Sequence, residues 1–312
     1  MSSFTFSIVV LTHNRCDILG ELLEELSSLQ RFDAEIIVVD NGSEDGTSDL
    51  LKNRFPQVLT VETGVNLGAV GRNEGMRRAT GKYIITLDDD ILGLDGHNLL
   101  RLQEFFELHA SAGAVCFKVL DHYDGSICNW CHPRKPEESA GRIFETTEIS
   151  EGAVAFRRDL LEVTGLYTEK MFISHEGADL AARILDCGYA IYYLPEIAVT
   201  HKYAREARAN WRRYYFDTRN DFWLVIRNYR FLHLLAHLAR RLPATFVYAL
   251  RDGFLAYWFR ALIDSLRELP EMLQQRKPVS RATQRRMRQL NKNRPGFFYL
   301  FRRRIFARDV KI

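Results

Sequence analysis

The chain has 312 residues, 46% of them hydrophobic and 12% aromatic, enough apolar material for one large or two smaller folded domains. Its net charge of +3 hides a division, because about 26 of the 43 lysines and arginines but only about 8 of the 40 acids lie from His201 onward. The start of the chain lacks the basic segment of a secretory signal, no apolar run reaches the roughly 18 residues of a membrane span, and five scattered cysteines are no disulfide framework, so a reducing cytoplasm is the expected setting.

Residues 6–11, Phe-Ser-Ile-Val-Val-Leu, are a short apolar run of the kind that forms a buried strand. They lead into Thr12-His13-Asn14-Arg15. Asp17 is placed to cap a helix whose Leu19, Leu22, Leu23 and Leu26 share one face. Residues 35–40 make a second strand, ended by the turn Asp40-Asn41-Gly42-Ser43. A short helix is predicted over 45–54 and a third strand over 58–62. Asn66-Leu67-Gly68 opens a turn into a helix through Arg72, Asn73 and Met76. The next strand, Tyr83-Ile84-Ile85-Thr86-Leu87, runs into Asp88, Asp89 and Asp90. Strands separated by helices of about ten residues predict βαβ units and a mostly parallel sheet. Right-handed crossovers set the strand ends on one rim, and such sheets bind ligands there.

Three adjacent carboxylates repel one another, and a cation relieves the repulsion. Mg²⁺ or Mn²⁺ prefers such oxygen ligands, and Mg²⁺ is commonly held by one or two carboxylates plus substrate phosphates. A solvated acidic turn is the plainer reading of these three residues alone. Further along, a helix is expected over 99–109, a strand over 114–120 and an irregular polar stretch over 122–147. A strand over 152–156 and a helix over 158–164, ended by Gly165, come next. Another helix reaches Cys187, and a strand from Ala190 is stopped by Pro195. From about residue 205 the chain is helical and basic, punctuated by Pro243, Pro270, Pro278 and Pro295.

Four segments carry a resemblance. Val9 to Arg15, Val38-Val39-Asp40-Asn41-Gly42-Ser43, Asn66-Leu67-Gly68 with Arg72-Asn73, and Leu87-Asp88-Asp89-Asp90 resemble, in order and spacing, the family 2 glycosyltransferases over about residues 6–202. The resemblance implies a GT-A fold, an α/β Rossmann-like, mostly parallel mixed sheet with flanking helices. It implies a nucleotide-sugar-binding catalytic domain over 1–204, while the residues themselves predict a helical, amphipathic, basic region over 205–312. Residues 214–230, with Thr218-Arg219-Asn220, look like the rhamnosyltransferase-like branch.

The resemblance also implies roles. Thr12, Asn14 and Arg15 would line the nucleotide pocket, and Asp40 would accept from the base or ribose with Asn41 and Ser43 beside it. Asn66 and Arg72 would flank nucleotide and sugar, with Asp88 and Asp89 at the donor. Asp88 and Asp90 would hold Mg²⁺ or Mn²⁺ on the diphosphate, with His201 as a further metal or diphosphate ligand. The donor would be of the UDP or TDP type, the acceptor a glycan or lipid-linked hydroxyl, and the transfer inverting. The family's base lies in a Glu-Asp pair followed two residues later by Asp-Leu, and here that segment reads Glu176-Gly177-Ala178-Asp179-Leu180. Glu176 or Asp179 is then the catalytic carboxylate, with His175 a third candidate. Glu176 is preferred, because Asp179 falls in the first turn of a helix, where an acid is often structural.

Cys128-Asn129-Trp130-Cys131-His132 has the spacing of a haem attachment or half a zinc site. Only Cys116 and His122 are near as further ligands, so Trp130 is expected to pack on the acceptor or on the core. A nucleotidyltransferase would need a glycine-bearing phosphate loop after the first strand, which Thr12-His13-Asn14-Arg15 lacks. A nucleic-acid binder using the basic tail would leave the acidic rim unexplained, so no nucleic-acid partner is expected. Val247, Leu250, Phe254, Trp258, Leu262 and Leu266 recur at helical spacing among Arg251, Arg260 and Arg267. With residues 211–241 and the Phe297-to-Arg304 cluster, this stripe suits an anionic membrane surface on the cytoplasmic face. Packing on the catalytic domain, or on a second copy in a homo-oligomer, is the other use of such a stripe.

Overall fold

The computed structural model describes residues 4–202, 211–296 and 299. In chain order the elements up to the acidic run are β1 Phe6–Thr12, α1 Cys16–Ser27, β2 Ala34–Asp40, α2 Thr47–Arg54, β3 Leu59–Glu62, α3 Arg72–Met76 and β4 Tyr83–Asp88. Then come β5 Ile91–Leu92, α4 Gly96–Leu108, β6 Ala112–Asp121, α5 Pro136–Ser139, β7 Phe144–Thr146, β8 Ala153–Arg157, α6 Arg158–Thr164, α7 Glu176–Asp186 and β9 Ala190–His201. Four further helices follow among the described residues: α8 Trp211–Asn228, α9 Phe231–Arg251, α10 Leu255–Gln274 and α11 Arg281–Leu290.

One nine-stranded sheet carries them in the order β3-β2-β1-β4-β8-β6-β9-β5, with β7 paired to β9. β3, β2, β1 and β4 are mutually parallel, as are β6 and β9. β8 lies between the two parallel groups and is antiparallel to both neighbours. Alternate residues of β1 face opposite layers, as a pleated strand requires. Ile8 and Val10 join Leu19, Leu22, Leu102 and Phe105 on one side, and Val9 joins Met76, Leu160, Leu180 and Ile184 on the other. Each such side chain, taken wholly out of water, contributes about 1.5–3 kcal/mol.

The structure differs from the sequence expectations at several points. Asp17 does not cap α1, which begins one residue earlier, and the Cys16 amide donates to Asp45 Oδ2 instead at 2.8 Å. Residues 122–147 are not wholly irregular, since they hold α5 and β7. β9 does not stop at Pro195 but continues to His201. The β6–β9 register shifts between the pairs Phe117–Leu194 and Lys118–Ala198, and that bulge accommodates a proline with no amide to give. In the tail, Pro243 and Pro270 lie inside α9 and α10 rather than between helices.

The apolar stripe from Val247 to Leu266 is likewise not one surface. It breaks at Asp252-Gly253; Trp258 turns inward against Phe246, whereas Val247, Leu250 and Leu266 are exposed. α8 is the most buried of the tail helices, with Trp223 and Val225 fully covered. Its Asn220 Nδ2 donates to the carbonyls of Met171 and Ile173 at 2.7 Å and of Ser174 at 2.8 Å, which fixes the loop before α7. Val279 and Met287 join the core beneath the sheet. Among the described residues no helix is long and apolar enough to cross a membrane. The Phe297-to-Arg304 cluster lies outside the described residues, apart from Tyr299.

Candidate active site

The apolar strands end together, and each runs into a polar turn. β1, β2 and β4 are parallel and in register, so Thr12, Asp40 and Asp88 leave the sheet on one rim. Thr12 Oγ1 donates to Asp89 Oδ2 at 2.8 Å. Arg15 Nη1 donates to Asp89 Oδ1 at 2.8 Å and to Asp90 Oδ2 at 2.5 Å. Asn14 lies in the left-handed region at φ 53°, and its amide donates to Ser43 Oγ at 2.9 Å. The Ser43 amide in turn donates to Asp40 Oδ1 at 2.9 Å.

The next turn locks onto the same network. Asn41 Nδ2 donates to Asn66 Oδ1 at 3.2 Å and to the Gly68 carbonyl at 3.0 Å, and Asn41 Oδ1 accepts the Leu67 amide at 2.9 Å. Gly68 has φ 72°, and a Cβ there would lie 2.3 Å from the Phe172 carbonyl oxygen, so only glycine fits. Arg72, 4% exposed, pairs with Asp88 and donates to the Ala69 carbonyl at 2.9 Å. The sequence-selected residues Thr12, Asn14, Arg15, Asp40, Asn41, Ser43, Asn66, Arg72, Asp88, Asp89 and Asp90 therefore form one connected rim.

β9 brings in the last member. Ile91 pairs with His201 across β5 and β9, which sets His201 beside Asp90. His201 Nε2 and Asp90 Oδ1 are 3.1 Å apart. Burial pulls His201 down, but the hydrogen bond and charge of Asp90 outweigh it and push it up to about 9. Burial raises Asp90, but His201 and Arg15 hold it below the ordinary carboxylate range. Asp89 is pushed up to about 6, chiefly by burial, against the opposing pull of Arg15. Two neighbouring ligands on an octahedral ion, each at about 2.1 Å, stand roughly 3 Å apart. Among the described residues no three histidine, cysteine or acidic side chains are grouped to hold a metal ion; Asp90 and His201 are one oxygen and one nitrogen donor standing at hydrogen-bond distance. Asp88 is held by Arg72.

The two candidate bases differ sharply. Asp179 is fully buried and satisfied: it accepts from Thr168 Oγ1 at 2.7 Å, Arg183 Nη2 at 2.8 Å, Arg227 Nη1 at 3.0 Å and Asn228 Nδ2 at 2.6 Å. Burial would raise it, yet Arg183 and Arg227 hold it low. Glu176 is 3% exposed, and its Oε2 has no hydrogen-bond partner. Burial first, and the nearby Glu151 carboxylate second, push it well above the usual range. His175 sits at φ 66° with Nε2 3.9 Å from Asp221, turned toward α8. Glu151 was not singled out in the sequence, although a glutamate-glycine step just before a strand that pairs with β4 was a usable signal.

The Cys128-to-His132 segment packs against the core, with Cys128 and His132 buried and Asn129, Trp130 and Cys131 half-buried. Trp130 Nε1 donates to the Arg134 carbonyl at 2.7 Å, and its ring meets His132 and Tyr193 edge-on. Burial pushes His132 down to about 3, so it stays neutral.

Residues 7–165 match the sequence description of glycosyl transferase family 2. The O-antigen chain rhamnosyltransferase WbaN of Salmonella anatum is 22% identical over 227 residues, 69% of this chain and 71% of that protein. The N-acetylglucosaminyl-diphospho-decaprenol L-rhamnosyltransferase of Mycobacterium tuberculosis is 26% identical over 232 residues, 62% of this chain and 75% of that protein. The fold is that of the mannosyltransferase PcManGT of Pyrobaculum calidifontis, solved with GDP-Man and Mn2+, with a TM-score of 0.57 and 19% identity over 98% of this chain and 88% of that one. With the match spanning half of the chain and its motifs assembled on one rim, the conclusion is that this chain belongs to glycosyl transferase family 2 and is a glycosyltransferase that uses nucleotide-sugar donors.

Proposed function

We propose that the protein is an inverting, metal-assisted sugar transferase that moves a deoxyhexose of the rhamnose type from a UDP or TDP donor to a hydroxyl of a glycan or lipid-linked acceptor. The observation that carries the reading is the convergence of Asp90 and His201 beside Arg15 and Asp89 at the strand ends. The sugar and acceptor classes are supported by the names of the two rhamnosyltransferases above. Asp40, Asn41, Ser43 and Asn66 bind the nucleoside, with Thr12 and Asn14 holding that wall in place. Arg15 and Arg72 set fixed positive charge at the diphosphate, where charge grows as the sugar leaves. Asp90 and His201, with Asp88, would hold Mg²⁺ or Mn²⁺, which would supply Lewis-acid stabilisation of the leaving phosphate. The acceptor hydroxyl loses its proton to a carboxylate among the acids gathered at the N-terminus of α7. Asp179 has no lone pair to spare and serves as the joint between α7 and α8.

A thermal-shift panel of nucleoside diphosphates and nucleotide sugars, with and without Mn²⁺, tests this. A donor at about 100 times its Kd stabilises the protein by roughly 2.7 kcal/mol. The expected result is a shift with a UDP or TDP sugar that needs the metal; shifts that ignore the metal refute its role.

The catalytic part is proposed to end near residue 204, with the helices after it bracing the α7 side and facing the acceptor. Val247, Leu250, Phe259, Ile263 and Leu266 are exposed there beside Arg251, Arg260 and Arg267. The exposed side chains of α9 and of α10 are each proposed to rest on an anionic membrane, where a basic residue contributes about 1 kcal/mol, less where an acid already pairs with it, as Asp252 does with Arg251 and Asp264 with Arg260 and Arg267. Co-sedimentation with anionic liposomes at low salt, reversed by high salt, is the expected result. Protein that stays in the supernatant at low salt refutes it.

A further inference from the structure

Two carboxyl groups from distant parts of the chain meet at the start of α7. Glu151 precedes β8, and its neighbour Gly152 accepts the Asp88 amide at 3.1 Å, which sets Glu151 at the rim. Glu151 Oε1 accepts the Gly177 amide at 2.8 Å. A Cβ at position 177 would stand 2.1 Å from that same oxygen. Glycine at 177 is therefore what admits the Glu151 carboxylate, which fills the space a side chain there would take. Beside it lies Glu176, buried, with Oε2 unpartnered. Arg72 is the cation that acts on both acids, and it is already paired with Asp88. Two close acids sharing one committed cation do not both ionise. Burial pushes both acids above the ordinary carboxylate range, Glu176 to about 8, and the Gly177 amide, near the N-terminus of an eleven-residue helix, favours charge on Glu151, so Glu176 keeps the proton. Access points the same way: Glu151 is only partly buried, whereas Glu176 is 3% exposed.

We propose that Glu151 is the catalytic base of the transfer, delivered from the turn before β8 into the place left open by Gly177. The inference rests on the sugar-transfer reading above. The acceptor oxygen bonds to the anomeric carbon as the bond from that carbon to the diphosphate oxygen breaks. The nucleoside diphosphate leaves with the electron pair, and the hydroxyl proton passes to a Glu151 carboxylate oxygen. Glu176 keeps its own proton throughout.

The test measures nucleoside diphosphate release from the donor chosen by the ligand panel, with Mn²⁺ and water as the acceptor. Glu151→Gln should lower kcat by about 10²–10⁴-fold. Its Kd for the nucleoside diphosphate with Mn²⁺, read by calorimetry, should stay within about threefold of wild type, which also shows that it folds. Glu176→Gln should cost at least about tenfold less, because an amide mimics a protonated carboxyl. The paired change Glu151→Gly with Gly177→Asp puts a carboxylate back on the helix and should recover turnover over Glu151→Gln. Wild-type turnover in Glu151→Gln overturns the proposal, as does a larger loss in Glu176→Gln than in Glu151→Gln. A wild-type protein that binds no nucleotide sugar instead defeats the transfer reading, and this inference with it.

Discussion

Asp90→Asn is expected to abolish the Mn²⁺ dependence of donor binding and to lower turnover by about 10²–10³-fold, the loss seen when one group that stabilises transition-state charge is removed. Asp90 carries this weight because two elements converge on it. Arg15 reaches its Oδ2 at 2.5 Å from the end of β1, and His201 meets its Oδ1 at 3.1 Å from the end of β9. Asparagine keeps the shape and one acceptor oxygen but removes the charge that a divalent ion needs. The fold should survive, because Arg15 retains Asp89 at 2.8 Å. Calorimetric titration with the nucleoside diphosphate, with and without Mn²⁺, reads the effect. Metal-stimulated affinity equal to wild type would remove Asp90 from the metal site.

Asp179→Asn should do the opposite, costing stability rather than chemistry. The substitution leaves Arg183 and Arg227 without their buried counter-charge, and breaking one side of a buried pair costs about 3–5 kcal/mol. The melting temperature should fall, while the protein that remains folded keeps donor affinity. The pH dependence has a definite sign. The folded-state pKa of Asp179 lies below its unfolded value, so its stabilisation is complete above the unfolded pKa and is lost as pH falls through the folded one. The gap between wild type and variant should be full at neutral pH and narrow below about pH 4. A variant with an unchanged melting temperature and a hundredfold lower turnover would make Asp179 catalytic.

By itself the sequence determined the four strands β1 to β4, their parallel run and the polar rim at their ends. Those features are local: a six-residue apolar run is a buried strand wherever it falls, and its terminal turn is written beside it. Asp88, Asp89 and Asp90 were legible for that reason, and Gly177 was visible as a gap in a known pattern. Only the tertiary structure decided what fills the gap and what each acid faces. The Glu151–Gly177 contact spans 26 residues and exists because β8 inserts antiparallel beside β4. Asp179 is saturated by Arg227 and Asn228, 48 and 49 residues away on α8, which no spacing rule could join to it. His201 reaches Asp90 because β9 bulges past Pro195 instead of ending there. Periodicity fixes which face of an element is buried, whereas the charge state of a buried acid depends on which distant element packs against that face.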